Sequence, residues 1–334
     1  MRIKLIYILI IISSSFVFGQ KIRPEIKIIV DEISQSNYVP CRIISNGKKS
    51  VQFVRFQKLD SLAEKLELTC LIEDKSPAVR CASFSSLCLK DLNSAKQFLI
   101  AHLYDTEEVN IEKSCISNYS TVGDQFIESF VFTLWSKDST MIENMKPFLK
   151  EIEYKLLNDP QIKLEYKSSI IRGMKPIPEN YDLLRKIAVS SCEPYSLITL
   201  SQYKNTKDKQ IIIDALKNNE IQSYAIHAVR SFPEKAFYPY IVEIFKNDWR
   251  KKRYSYAKWR MLYQALAQFP YENETFELFD KTLKSKKKFK RTTLGEYLLI
   301  AITKYPNPNF EKYKSRILEL GIETDYFDRE NYRE

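Results

Sequence analysis

Apolar residues recur along most of this chain at the three- and four-residue spacing of an amphipathic α-helix. The pattern predicts helices over 24–37 and 54–72 and over most segments from 77 onward. The exception is 38–53, where Asn46-Gly47 lies between β-branched runs and indicates a small hairpin or an extended loop. We therefore expect an all-α fold with one short irregular or hairpin segment near 38–53.

The C-terminal half contains a repeated apolar stripe that ends at a proline. Apolar or small residues stand eight, five, four and one positions before each of four prolines, which places them on one helix face. The five-before position is always Gly or Ala, which lets a neighbouring helix approach closely. Proline then ends the helix because it has no N–H to donate. The stripes are Ile170, Gly173, Met174 and Ile177 before Pro178; Ala225, Ala228, Val229 and Phe232 before Pro233; Leu262, Ala265, Leu266 and Phe269 before Pro270; and Leu298, Ala301, Ile302 and Tyr305 before Pro306.

A second amphipathic helix is predicted after each proline, so the repeating unit is helix, proline turn, helix. Pro233 and Pro270 are 37 residues apart, and Pro270 and Pro306 are 36 apart. The interval between Pro178 and Pro233 leaves room for one degenerate unit without the proline, over 194–217. The predicted second helices cover 181–189, 238–246, 275–283 and 310–318.

The segment 66–87 resembles the HEAT-like repeat family. Its residues match the positions at which that family places its core side chains and an Asp–Arg pair, namely Leu71, Asp74, Val79, Arg80, Ala82 and Leu87. Asp74 with Ser76 and Pro77 is expected to open the second helix, and Arg80 to reach a carboxylate in the next repeat. The structural repeat motif is thus Asp74, Pro77, Val79 and Arg80.

The longer run 55–123 resembles uncharacterised exported HEAT repeat-containing proteins of the Bacteroidetes type. That family gives no activity to carry over. The resemblance implies an α-solenoid of stacked antiparallel helix pairs over 54–321, in which each repeat buries its apolar face against its neighbours. The alternative is a non-repetitive helical bundle, which the four matching stripes disfavour.

The N-terminus reads as an export signal. Arg2 and Lys4 precede an apolar run, and Val17 and Gly19 are small enough for the specificity pockets of signal peptidase. We expect a signal peptide over 1–19, cleaved after Gly19, and a periplasmic or extracellular protein; the alternative is an uncleaved N-terminal anchor. After the signal we expect a helix and extended segment over 20–53, no later transmembrane segment, and a frayed tail over 322–334 that lacks periodicity.

Export gives the six cysteines a possible structural role, because disulfides form in oxidising compartments. An even number permits disulfides, whereas apolar packing of free thiols is the alternative. No two cysteines have the C-x-x-C spacing of a metal site. The pairing stays open among Cys41, Cys70, Cys81, Cys88, Cys115 and Cys192.

Composition argues against most catalytic chemistry. Only 6 of 334 residues are Gly, which leaves little room for phosphate-binding loops, and only 2 are His. His102 lies near Asp105, Glu107 and Glu108, where a metal or acid–base site competes with a simple helix C-terminus. His227 lies beside an apolar stripe and is expected to pack there. We therefore expect no catalytic residue, no metal, no cofactor and a non-enzymatic protein.

Charge is distributed unevenly. Once Arg2 and Lys4 leave with the signal, 50 basic residues exceed 42 acidic ones by 8, and the segment 240–304 alone has 15 Lys and Arg against 7 Asp and Glu. Two basic clusters in it lie one repeat apart, so stacking should bring them to the same edge. Cations interleaved with aromatic rings suit phosphate or sulfate contacts, and the alternative is a solvated edge. The candidate anion-binding residues are Trp249, Arg250, Lys251, Lys252, Arg253, Tyr256, Trp259, Arg260, Lys286, Lys287, Lys288, Lys290 and Arg291.

Two functions follow as expectations. The first is an exported helical-repeat scaffold that binds a protein or peptide partner in the cell envelope. The second is an anion-binding envelope protein that uses the 249–291 edge to contact lipopolysaccharide, acidic polysaccharide or lipid headgroups. The export signal argues against nucleic acid as a partner.

Overall fold

The computed structural model describes residues 22–40, 50–113, 116–190, 193–251 and 255–322. Within these ranges the fold is mostly α-helical, as the periodicity predicted, with one small β-sheet. The chain divides into two compact units, Met1–Lys167 and Ser168–Glu334, which are described separately below. The predicted signal 1–19, the Asn46-Gly47 turn and the tail from 323 onward lie outside the described ranges.

The helices of the first half are α1 (Pro24–Ser34), α2 (Val51–Leu62), α3 (Lys65–Leu71), α4 (Pro77–Lys90), α5 (Leu92–Ala101), α6 (Val122–Trp135) and α7 (Ser139–Asn158). Those that follow are α8 (Glu165–Gly173), α9 (Pro178–Ser190), α10 (Tyr195–Ser201), α11 (Lys209–Lys217), α12 (Gln222–Ser231), α13 (Tyr238–Arg250), α14 (Tyr256–Leu266), α15 (Asn273–Leu283), α16 (Lys288–Lys304) and α17 (Glu311–Glu319). None of the helices in the described ranges combines the length and apolar character that a membrane span requires.

The predicted helix over 54–72 is wrong in its continuity, because the chain forms α2 and α3 with a break at Ala63. Ala63 is extended, with ψ at 136°. A capping box starts the new helix: the Glu64 N–H donates to the Glu67 carboxylate at 2.9 Å. The same carboxylate accepts from Arg23 Nη2 at 2.7 Å, which anchors this break to the start of α1. Helix α2 also begins earlier than predicted, because the Ser50 hydroxyl accepts from the Phe53 N–H.

A three-stranded sheet forms partly in 38–53, where a small hairpin or an extended loop was expected, and partly in 108–121, which was not predicted to form strands. Strands β2 (Glu108–Lys113) and β3 (Ile116–Thr121) pair antiparallel, with Glu108 opposite Thr121. Strand β1 (Tyr38–Val39) adds to β2 in parallel. The signal for β2 is its period-two alternation, since Val109 and Ile111 are buried between polar neighbours.

Helix α4 forms the centre of the first unit, where it contacts α1, α2, α3, α5 and α6. Its Phe84 stacks on Phe126 of α6, with ring centroids 4.0 Å apart. Gly123, in the first turn of α6, lets this helix approach the chain that follows α5, because a Cβ there would lie 2.7 Å from the His102 carbonyl oxygen.

Two buried thiols complete this core. Cys81 and Cys88 are buried on α4 and Cys70 is exposed on α3, and all three are free. The apolar-packing alternative therefore describes the two α4 cysteines. Cys41, Cys115 and Cys192 lie outside the described ranges.

The proline-terminated stripe is confirmed at three of its four positions. The stripe residues before Pro233 and Pro270 are all buried, and so are the first three before Pro306. After these prolines come α13, α15 and α17, as predicted. The degenerate unit also forms two helices, α10 and α11.

The stripe before Pro178 is wrong. Helix α8 ends at Gly173, and Pro178 instead begins α9. Ile177 lies in the connection and is exposed. The cause is a second proline, Pro176, which together with Gly173 stops the helix one turn earlier.

Contacts in the second unit follow the order of the helix pairs. Helix α12 contacts α10 and α14, and α14 contacts α16, so the first helices of successive pairs lie side by side. The second helices α13 and α15 contact the first helix of the following pair. Each pair thus buries its apolar stripe against adjacent pairs.

Candidate functional site

The two basic clusters of the sequence meet at Trp249, near the C-terminus of α13. Lys290 of α16 lies with its Nζ 4.0 Å from the centroid of the Trp249 ring and donates to the Trp249 carbonyl oxygen at 2.5 Å. Tyr256 and Phe289 form a second link, with ring centroids 6.0 Å apart. The two clusters, which were expected on one edge, therefore contact each other at these residues.

Trp259 does not lie on that surface. Its side chain is 2 % exposed and packs edge-on against Phe245, with centroids 4.9 Å apart. The position explains this, because Trp259 falls three residues before Leu262 on the buried stripe of α14. Its proposed role as a stacking ring for a ligand is therefore wrong, and it belongs to the core.

Lys290 is also more buried than the sequence suggested. It is 4 % exposed and lies four residues before Leu294, on the inner face of α16. Burial lowers its pKa, and the positive charge of Lys287 lowers it further. Lys290 therefore connects the two basic clusters, but its side chain is buried and not exposed at the surface.

Several other cations of the predicted site are held by partners within the fold. Asp248 pairs with Lys251 and also with Lys258, the latter at 2.7 Å. Arg260 lies over the Tyr297 ring at 5.4 Å, and Arg291 Nη1 donates to the Ser285 carbonyl. The Asp248 carboxylate reduces the charge that Lys251 and Lys258 offer to a ligand, and the other two contacts hold Arg260 and Arg291 against the fold.

The remaining cations form a surface that we name the cationic edge. Its residues are exposed and lack an ion pair within the described ranges: Arg250, Lys281, Lys286, Lys287 and Lys288. Lys252 and Arg253 lie outside those ranges.

Lys281 of α15 is the member that the sequence reasoning missed. Its Nζ lies 5.4 Å from the Trp249 ring centroid. Burial lowers its pKa, and the charges of Arg250, Lys290 and Lys246 lower it further. It stands apart from the dense basic runs, and so only the packing of α15 against its neighbours reveals it.

Arg80, which lies in the segment that resembles a HEAT-like repeat, is at the centre of a second charged cluster in the first unit. As predicted, α4 begins at Pro77, and the Asp74 carboxylate accepts from the Ser76 N–H at 2.8 Å. Arg80 donates to the Asp74 carbonyl and to the Glu107 carboxylate, and its Nε lies 3.1 Å from Asp105 Oδ2. Arg80 was expected to reach a carboxylate in the next repeat, and the two carboxylates that it contacts, Asp105 and Glu107, lie in the connection that follows α5.

His102 belongs to this cluster. Its Nδ1 lies 3.1 Å from Asp105 and its Nε2 lies 3.2 Å from Glu73. Burial lowers the pKa of His102, but the hydrogen bonds to Asp105 and Glu73 outweigh it and leave the pKa raised. Because both ring nitrogens are engaged, the imidazole has no nitrogen free to take a proton from a substrate.

His227 is the second histidine of the chain. His227 is partly buried, and burial together with Arg230 and Lys304 lowers its pKa to about 4, so it is neutral at pH 7. In the described part of the chain no group of three or more His, Cys, Asp or Glu side chains is placed to hold a metal ion.

A cavity of about 280 Å³ lies in the first unit, between α2, α4 and α6. Apolar side chains dominate its wall, among them Phe53, Phe56 and Leu89. Asp60 supplies a carboxylate and no basic side chain lines it in the described ranges, so the cavity does not favour an anion.

Comparisons with known proteins add no assignment. No family model matches the chain, no curated protein matches it, and no solved structure matches it. The likeness to the HEAT-like repeat therefore stays a resemblance carried by the residues of 55–123.

Proposed function

We propose that this protein is an exported, non-enzymatic HEAT-like α-solenoid that acts as a scaffold and binds a protein or peptide partner in the cell envelope. The observation that carries the proposal is the order of contacts in the second unit, where the first helices α10, α12, α14 and α16 lie side by side. Such a row of helices presents a continuous surface that one extended partner can contact along several pairs.

The location is part of the proposal. The charged and apolar pattern of 1–19 supports a signal peptide cleaved after Gly19 and a periplasmic or extracellular protein. Intact-mass analysis of the protein from its native cell tests this. A mature chain that starts at Gln20 supports export by cleavage, whereas a retained N-terminus favours the anchor.

Affinity capture of the mature protein from envelope extract, followed by mass spectrometry, tests the scaffold function. A partner that is enriched by the folded protein and not by the heat-unfolded protein supports it, provided that the purified partner then binds in calorimetry. The scaffold proposal fails if no purified candidate binds.

A second function is favoured by a specific observation, the cationic edge. Five exposed cations lie on one part of the second unit, and the charges of nearby cations help to lower the pKa of one of them, Lys281. A surface of this kind attracts polyanions and loses affinity as salt screens the charges. Salt-sensitive retention on heparin, lost in a variant with Lys286, Lys287 and Lys288 changed to Glu, is the expected result; retention that survives these changes contradicts it.

A further inference from the structure

We propose that the cationic edge binds a soluble polyanion with closely spaced sulfate or phosphate groups, and that Lys281 lies at the centre of the contact. This inference rests on the proposed anion-binding function and adds to it the class of ligand and the residue that dominates binding. It differs from the sequence reading, which placed the contact on the two basic runs that flank Lys281.

Trp249 holds cations from two helices close together. The Nζ of Lys290 and the Nζ of Lys281 lie 4.0 Å and 5.4 Å from the centroid of its ring, and Arg250 is the next residue along the chain. Cation–π contacts position ammonium groups without neutralising their charge. The ring therefore fixes several positive charges within a short distance of one another.

Lys281 itself has no ion pair within the described ranges, although other cations act on it. Arg250, Lys290 and Lys246 act on Lys281, and all three disfavour its charged form. The carboxylate of Glu274 lies in this region but pairs with Lys246. A bound anion at this point removes repulsion that the fold alone leaves in place, and so it gains more than an anion bound to an isolated lysine.

Lys284, which directly follows α15, offers the contrast. It is exposed like Lys281 and only three residues away, but its Nζ lies 2.6 Å from the Asp280 carboxylate. An anion that approaches Lys284 must compete with this internal partner. The two lysines therefore provide a matched pair in which one charge is satisfied and the other is not.

The surroundings favour a soluble polyanion over a membrane. Within the described residues of 249–291, the large apolar or aromatic side chains that stand out into solvent are Tyr256 and Tyr271. The Trp249 ring is covered by lysines, so it does not serve as a wedge into lipid. Binding therefore depends on charge, and several ammonium groups in a small area match a polymer with dense sulfate or phosphate groups.

Heparin, a densely sulfated probe, tests the inference by calorimetry at several salt concentrations. We expect Lys281→Gln to weaken binding about tenfold and to lower the salt dependence by about one ion. Lys284→Gln is expected to change the affinity less than about twofold. Lys281→Arg, which keeps the charge, should retain binding, and thermal unfolding of each variant shows whether the fold is intact.

The possible outcomes separate the inference from the function on which it rests. Equal losses for Lys281→Gln and Lys284→Gln overturn the inference, because net charge alone then explains binding. Loss of binding in a Lys286, Lys287 and Lys288 triple Gln variant, with none in Lys281→Gln, also overturns it but leaves the anion-binding function standing. Failure of the unmodified protein to bind heparin at low salt overturns both. Binding to vesicles containing anionic lipid without binding to heparin identifies a membrane and overturns the choice of ligand.

Discussion

Replacement of Arg80 with Met tests the charged cluster that joins α4 to the start of the sheet. The Met side chain retains most of the apolar stem and removes the guanidinium. The change leaves Asp105, which is largely buried, without its cation, and it also removes the hydrogen bond to the Asp74 carbonyl at 2.8 Å. The first unit should therefore lose stability.

The magnitude follows from the exposure of each partner. Removal of one member of a buried ion pair costs about 3–5 kcal/mol in free energy of unfolding. Glu107 is more than half exposed, so its share is at most about 1 kcal/mol. Asp105 keeps a hydrogen bond to His102, which places the expected loss near the lower limit, at about 3 kcal/mol.

Denaturant unfolding with hydrogen exchange of peptides from α4 measures this loss in the first unit itself. Arg55→Met is the control, because Arg55 pairs with Glu32 at 3.4 Å and both side chains are partly exposed, so its loss should stay below about 1 kcal/mol. Adding Asp105→Asn to Arg80→Met should recover part of the stability, because the unpaired carboxylate is then gone. Equal losses for Arg80→Met and Arg55→Met would refute the reasoning.

Three further predictions concern the same unit and its neighbours. Gly123→Ala should lower the free energy of unfolding by about 1–3 kcal/mol, because its Cβ meets the His102 carbonyl oxygen at 2.7 Å. Gly173→Ala has open space around it and should be neutral or stabilising. Equal effects of the two changes in denaturant unfolding would contradict the close approach at Gly123. Hydrogen bonds to Asp105 and Glu73 raise the pKa of His102 in the folded state, so its contribution to stability is complete below the unfolded-state pKa and is lost as the pH rises through the folded-state pKa. His102→Gln should therefore reduce the fall in Tm over that rise in pH. An unchanged profile of Tm against pH would contradict this. In a protein with Cys41, Cys115 and Cys192 replaced by Ser, a thiol reagent should label the exposed Cys70 rapidly. Cys81 and Cys88 should react only after unfolding, because both are buried and burial raises the pKa of their thiols. Rapid labelling of all three cysteines would contradict the burial of Cys81 and Cys88.

The sequence predicts the helices well wherever an apolar stripe is long. The stripes before Pro233 and Pro270 are buried as expected, because each fills a whole helix face and ends at a single stop signal. The prediction failed where two local signals compete, as at Pro176 with Pro178, or where a cap interrupts a continuous pattern, as at Glu64. The strand β2 was missed because its alternation is only six residues long.

The candidate site was predicted in outline and corrected in detail. Counting charges places the basic excess in 240–304, and the two clusters within it contact each other at Trp249. Burial of Trp259 and Lys290 depends on which face of α14 and α16 they occupy, and both positions extend an apolar stripe toward the helix N-terminus. The proposed role of Lys281 has no sequence signal, because it depends on the contact with Trp249 and on cations of other helices.

The two units also differ in how far apart along the chain their contacting segments lie. In the first unit, the Asn37 side chain donates to the Glu108 carbonyl 71 residues away, and β1 pairs with β2. In the described part of the second, the main contacts between helices join partners no more than two helices apart. Because short loops close faster than long ones, the second unit can acquire its structure pair by pair, while the sheet of the first forms only after α2 to α5 have collapsed. Refolding should therefore show two rates, with burial around β2 on the slower one.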